Sequence, residues 1–270
     1  MKVLILGAGG QLGRALSAAF ADQEVLVADL PQCDLADFVG VKDWIISAQP
    51  EVIINAAAIT DWQESENNQE KAMLINGTAV GNLAKIARDL KIKLIHYSAN
   101  EVFSIGEDFY NEEAVPNPAN FYGQSKLAGE KLLFENYPEA YLIRSSFLYG
   151  HDGKNFINQF IENVKNNQEI KVSENQIVCP TYVKDLAEAT KKLLLENKPS
   201  GIYHLINEGA ASLYELAYKI KDILALPTNI VPIKSNDSLS GKIILANTKF
   251  SKLRLWTEAL EEYLLSLKLN

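Results

Sequence analysis

The chain opens with "MKVLILGAGGQLGRAL", Met1 to Leu16, and this run sets out a strand, a turn and a helix in order. Lys2 to Leu6 form an apolar run of strand length, glycines follow, and the residues from Gln11 onward carry the period of an amphipathic helix. Gly7, Gly10 and Gly13 stand at three-residue intervals across the junction. In such a turn the first glycine permits the tight bend, the second lets backbone approach a pyrophosphate, and the third lets helix and strand pack closely. The helix N-terminus then offers free N–H groups and the positive end of its dipole to phosphates. Gly9 also makes part of a GxG, but the sixth position counted from Gly7 is Leu12, so the phase is GxxGxxG. Gly7, Gly10, Gln11, Leu12 and Gly13 are therefore expected to bind a dinucleotide cofactor.

The same alternation continues along the chain. "EVLVAD" precedes "DFVGVKDWIISA", "EVIINAAA" precedes a helical stretch from about Glu70 to Leu90, and "KLIHYS" leads through a proline-containing loop to "SKLAGEKLLFENY" and "AYLIRSS". Strands apolar at nearly every position, each followed by a helix, predict an α/β fold with a doubly wound parallel sheet of the Rossmann type. Residues 1–150 read as an NAD(P)-binding domain, with segments near 180–210 returning to the sheet. Residues 151–270 read as a smaller, mainly substrate-binding region. Asp29, at the end of the second strand and about 20 residues past the glycines, is placed to accept hydrogen bonds from an adenosine ribose; the alternative is a solvated strand-end acid. Asp29 points toward NADH and Arg14 offers a charge to the 2′-phosphate of NADPH, so the choice between the two stays open.

Composition narrows the function classes. Acidic residues number 34 against 26 basic ones, and the resulting net charge of -8 opposes binding to nucleic acid or to anionic membranes. The first apolar run breaks into glycines too early for a signal peptide, so a cytoplasmic protein is expected. Cys33 and Cys179 have no metal-ligand spacing and read as free thiols, and the three histidines are scattered, so no bound metal is expected.

"NFYGQSKLAGE" places Tyr122 and Lys126 four apart, on one face of a helix that begins near Phe121. Carbonyl reduction uses such a pair: a phenol gives its proton to oxygen as hydride reaches carbon, and a nearby ammonium lowers the phenol pKa and holds the nicotinamide ribose. With the glycine turn and the fourth strand in place, the chain resembles the extended short-chain dehydrogenase/reductases, and among them the dTDP-4-dehydrorhamnose reductase family. The blocks that carry the resemblance are "MKVLILGAGGQLGRAL", "PEVIINAAAIT", "HYSANEVF", "NFYGQSKLAGE", "LIRSSFLYG", "NQIVCPTYVKDLA" and "GIYHLINEGAASLYELA". The resemblance implies that Tyr122 and Lys126 are catalytic, that Ala56, Ala57 and Ala58 line the cofactor, and that Asp34 and Leu35 lie beside the adenine. It also implies a sugar-nucleotide substrate and reduction of a 4-keto-6-deoxy sugar by NADPH or NADH; a homodimer is a separate expectation.

The match is incomplete on the substrate side. Where the family ends its fourth strand with Ser-Thr-Asp-Tyr-Val-Phe, this chain reads Ser98-Ala99-Asn100-Glu101-Val102-Phe103. The threonine that helps hold the substrate carbonyl is replaced by Ala99, and Asn100 and Glu101 become the candidate substrate contacts. Ser98 is adjacent, but successive strand side chains alternate between faces. Loss of one donor to a developing oxyanion costs about a hundredfold to a thousandfold in rate. Trp62-Gln63, Ser104-Ile105 and Ile244-Leu245 also depart from the family's Val-Asp, Asp-Gly and Arg-Pro. The alternative reading is an NAD(P)-binding regulatory or assembly protein with little activity, which has no evident use for the phenol of Tyr122.

Overall fold

A strand apolar on consecutive residues needs cover on both faces, and the first strand, β1 (Lys2–Leu6), has it. Val3 and Ile5 enter one core cluster, and Leu4 and Leu6 enter another. The computed structural model describes residues 1–31, 33–106, 109–151, 153–166, 169–235 and 241–268. The chain continues through α1 (Gln11–Ala19), β2 (Glu24–Ala28), α2 (Phe38–Ala48), β3 (Val52–Asn55), α3 (Trp62–Asn67), α4 (Gln69–Met73), α5 (Ala79–Leu90), β4 (Lys93–Ala99), α6 (Phe121–Asn136) and β5 (Tyr141–Ser145). It then runs through β6 (Leu148–Tyr149), α7 (Phe156–Asn166), β7 (Glu169–Ser173), β8 (Gln176–Val178), β9 (Thr181–Tyr182), α8 (Val183–Leu195) and β10 (Gly201–His204). β11 (Ala211–Ser212), α9 (Leu213–Leu224), β12 (Asn229–Ile233), β13 (Gly241–Lys242) and α10 (Trp256–Lys268) complete it.

The main sheet is six-stranded and parallel in the order β10-β5-β4-β3-β1-β2. From β1 the chain winds outward to β2, then returns to β3 and proceeds the other way. The reversal lies between β1 and β3, and a crevice outside the carboxyl ends of those strands is where such sheets bind ligands. α2, α5 and α6 contribute Ile45, Leu83 and Leu133 to the cluster on one face. On the other, α1, α8 and α9 contribute Leu16, Leu193 and Leu216. A third cluster of Val102, Phe103, Tyr110, Cys179, Ile206 and Leu245 joins the loop after β4 to the C-terminal half. Tyr110 N–H donates to Ile244 O at 2.8 Å and Ala246 N–H to Tyr110 O at 2.8 Å. Among the described residues no helix is long and apolar enough to cross a membrane.

The helix expected from Glu70 to Leu90 is interrupted. α4 gives way to a π-helical turn, Leu74–Thr78, before α5 resumes. The wide turn carries the buried Asn76, whose amide donates to Ile59 O at 2.9 Å and to Ser125 Oγ at 3.0 Å and accepts from Ile59 N–H at 2.9 Å. Periodicity cannot foresee this, because the partners are 17 and 49 residues away in sequence.

α6 is seated on the sheet by a buried ion pair. Arg144 of β5 donates through Nε to Glu130 Oε1 at 2.9 Å and through Nη2 to Glu130 Oε2 at 2.6 Å. Its guanidinium carbon also lies 5.0 Å from the centroid of the Phe103 ring. His204 completes the cluster with Nη1 of Arg144 at 3.4 Å from Nε2, while Nδ1 lies 3.1 Å from both Tyr110 O and Ala246 O. Two carbonyls at Nδ1 place the proton there and leave Nε2 as acceptor. Burial and the neighbouring guanidinium push the His204 pKa down to about 4, in keeping with a neutral ring. Removing one partner of a buried pair strands the other charge, so Glu130→Gln is expected to lower unfolding free energy by about 3–5 kcal/mol. Denaturant unfolding monitored by circular dichroism checks this, and a loss under about 1 kcal/mol would show the pair to be dispensable.

Candidate active site

The glycine turn is built as its spacing requires. Gly7 has a φ of +75°, and a Cβ there would stand 2.6 Å from Ala57 N. At Gly13 a Cβ would collide with Gly7 O, so α1 can lie against the loop only with glycine there. Gly10 is the N-cap of α1 and makes no side-chain cap, which leaves the helix N-terminus to the cavity beside it.

That cavity has a volume of about 670 Å³, within the range of small-molecule and cofactor sites. Its wall includes Gly7, Gly10, Gln11, Leu12 and Gly13 from the turn, Asp29, Asp34 and Leu35 from the segment after β2, Ala56, Ala57 and Ala58 after β3, and Tyr122 and Lys126 from α6. The wall thus extends from the end of β2, past the turn, to α6. Gln11 has a second use: its amide donates to Leu148 O and accepts from Asn155 Nδ2, each at 3.3 Å, and so ties α1 to β6 and the loop after it. Asn55 Oδ1 accepts from Ala57 N–H at 3.1 Å and orders the alanine segment.

α6 starts where expected. Asn120 caps it by accepting from Gly123 N–H at 2.7 Å, and Tyr122 and Lys126 follow on its buried side. Lys126 Nζ donates to Tyr97 O at 2.6 Å, and burial pushes its pKa down to about 8 against the opposing pull of Glu130 and Glu101. The expectation that the ammonium lowers the phenol pKa does not hold. Tyr122 is raised instead, first by burial and then by the Glu101 carboxylate. The desolvation of a buried phenolate outweighs the benefit of a lysine whose own charge is disfavoured at the same place.

Around the fourth strand the placement differs from a simple alternation. β4 ends at Ala99, and Asn100–Val102 form a 3-10 turn. Ser98 lies on the cavity wall while Ala99, Asn100 and Glu101 do not, and Ser98 Oγ is buried with no hydrogen-bond partner. Asn100 turns toward the C-terminal region, donating to Ile243 O at 3.4 Å. Glu101 is felt electrostatically by both Tyr122 and Lys126, and burial raises its own pKa. Sequence reading also missed Asn76, which holds Ser125 beside Lys126, and the Glu64–Lys71 ion pair at 2.8 Å on the wall. An Asn-Gly pair inside a helical pattern was the one available sign of the former.

The cradle of glycines, the alanine segment and the volume of the cavity fit a nicotinamide dinucleotide. Comparisons with known proteins agree. Residues 1–267 match the family described as RmlD substrate binding domain. The spore coat polysaccharide biosynthesis protein SpsK of Bacillus subtilis is 34% identical over 97% of this chain and 96% of its own. A crystal structure of a dTDP-4-dehydrorhamnose reductase from Clostridium acetobutylicum superposes with a TM-score of 0.94 at 30% identity, covering 99% of this chain and 100% of that one. Another, from Bacillus anthracis in complex with NADP, gives 0.93 at 30% identity over 98% and 99% of the two chains. The chain belongs to the RmlD substrate binding domain family and is a short-chain dehydrogenase/reductase of the extended type that resembles dTDP-4-dehydrorhamnose reductase.

Proposed function

We propose that the protein catalyses NAD(P)H-dependent reduction of a 4-keto-6-deoxy sugar nucleotide, dTDP-4-dehydro-L-rhamnose to dTDP-L-rhamnose being the foremost case. The observation that carries this reading is the pair Tyr122 and Lys126, both buried and both on the wall of the cavity that the glycine turn heads. When bound, the reduced nicotinamide supplies the hydride to the carbonyl carbon. Tyr122 is the proton donor to the carbonyl oxygen. The phenol is protonated at neutral pH, the form that reduction needs, while its raised pKa makes it a weaker acid, so proton transfer relies on stabilisation of the phenolate as it forms. Lys126, anchored on Tyr97 O, presents an ammonium beside the phenol and compensates the charge that develops there as the proton leaves. In this reading residues 1–150 with the returning β10 bind the cofactor, and residues 151–270 contribute most of the substrate contacts.

Ala99 brings no hydroxyl to the place where the family has its threonine, and the hydroxyl that reaches the cavity wall is that of Ser98, which has no partner among the described residues. In steady-state oxidation of NADH or NADPH with a panel of 4-keto sugar nucleotides, Tyr122→Phe is expected to lower kcat by about a hundredfold or more. Ser98→Ala, which removes the unpartnered hydroxyl on the cavity wall, is expected to lower kcat by about a hundredfold to a thousandfold. Tight cofactor binding with no panel member reduced would instead favour the regulatory reading.

The pH profile follows from Lys126. Its pKa is depressed from 10.5 to about 8, so the ammonium is present below that value and lost above it. We expect kcat/KM to be level near neutrality and to fall as pH rises through about 8. A profile level to pH 10 in the wild type would exclude a charged Lys126 from the rate-determining chemistry.

A further inference from the structure

The end of the cavity beside β2 carries acid and no base. Between Arg14 and Lys42 the chain contains no lysine, arginine or histidine, but it contains Asp22, Glu24, Asp29, Asp34 and Asp37. Asp29 and Asp34 are on the cavity wall with Cys33 between them in sequence. The Asp29 carboxylate is held as a fixed acceptor: Gly9 N–H donates to Oδ2 at 2.7 Å, and Leu30 N–H to Oδ1 at 2.8 Å. Asp34 Oδ1 accepts from Ala36 N–H at 2.9 Å. The field these groups create is felt by the Cys33 thiol, whose pKa is raised by burial first and then by Asp34, Asp29 and Asp37.

The cations of the wall are committed elsewhere. Lys71 pairs with Glu64 at 2.8 Å, and Lys126 donates to Tyr97 O on the α6 side. Arg14 is off the wall, its Nε donating at 3.0 Å to the carbonyl of Gly9, the residue whose N–H holds Asp29. A ribose 2′-hydroxyl can donate to a fixed carboxylate and still accept from water. A 2′-phosphate would bring further negative charge to Asp29 and Asp34, with no arginine on the described wall to meet it.

We propose that this protein selects NADH over NADPH, with Asp29 accepting from the adenosine ribose and Asp29 and Asp34 together repelling a 2′-phosphate. This would set it apart from the Bacillus anthracis relative solved with NADP. The proposal rests on the cavity being the cofactor site, and it is tested by binding alone, without a keto sugar. The intact protein is titrated with NADH and with NADPH, following nicotinamide fluorescence, at low and at high salt. NADH is expected to bind tighter by at least about tenfold, and the ratio is expected to narrow as salt screens the repulsion. Asp29→Asn is expected to narrow it as well, and if that variant does not fold by circular dichroism, the salt series on the wild type decides. Equal or tighter binding of NADPH overturns the selection while leaving the cofactor site standing. A preference for NADH that neither salt nor Asp29→Asn alters overturns the electrostatic assignment. Binding of neither nucleotide overturns the cofactor site itself, and the selection with it.

Discussion

The seating of α6 on the sheet is the constraint from which the candidate site follows. Two buried polar links hold it: Arg144 of β5 grips Glu130 through both carboxylate oxygens, and Lys126 Nζ reaches the carbonyl of Tyr97 in β4. Both links lie in a region where water cannot substitute, so the alternatives to them are a stranded ion and an unsatisfied ammonium. With positions one turn apart in the helix tied to β5 and to β4, Tyr122 has little freedom over the cavity. A third tie, from Asn76 of the π-helical turn to Ser125, lies one residue from Lys126 and fixes the helix against the segment after β3. Such ties matter for proton transfer because a donor misplaced by about 1 Å loses much of its effect.

The same burial that fixes the pair also sets its protonation. A phenol raised in pKa and a lysine lowered in pKa are the two responses of oppositely charging groups to one desolvated place. The raised pKa keeps the phenol in its proton-bearing form but makes it a weaker acid, so the transfer depends on the charge that Lys126 offers as the phenolate forms. At the other end of the cavity the physics is reversed. There the groups are carboxylates close to solvent, held by backbone N–H groups, and their effect is on which nucleotide enters rather than on what happens to it. One fold thus places a dry acid at α6 and a fixed field of negative charge after β2, joined by a turn of glycines that contributes backbone alone.

How much of this was legible in the sequence differs from element to element. The glycine turn, the consecutive apolar strands and the start of α6 were all readable, because each depends on residues within a few positions of one another. The interruption at Leu74–Thr78 was not, since the partners of Asn76 are distant in the chain. Ser98 and Ala99 show the limit of a strand rule: alternation holds within β4, but the chain enters a 3-10 turn at Asn100, and it is Ser98 that reaches the cavity wall. Asn100 and Glu101, candidate substrate contacts by their position, lie outside that wall, one turned to Ile243 and the other acting on Tyr122 through its field.

The sequence by itself determined the α/β alternation, the position of the dinucleotide turn, the pairing of Tyr122 with Lys126 and the absence of positive charge from residue 15 to residue 41. These are properties of local spacing and composition, and no folding was needed to see them. Only the tertiary structure decided that Lys126 would be anchored on a β4 carbonyl, that the phenol pKa would rise rather than fall, and that a hydroxyl without a partner would sit on the cavity wall. The physical reason is that pKa values and hydrogen-bond partners are set by what surrounds a group in space, and the surroundings of Tyr122 and Lys126 are assembled from strands and turns far from them along the chain.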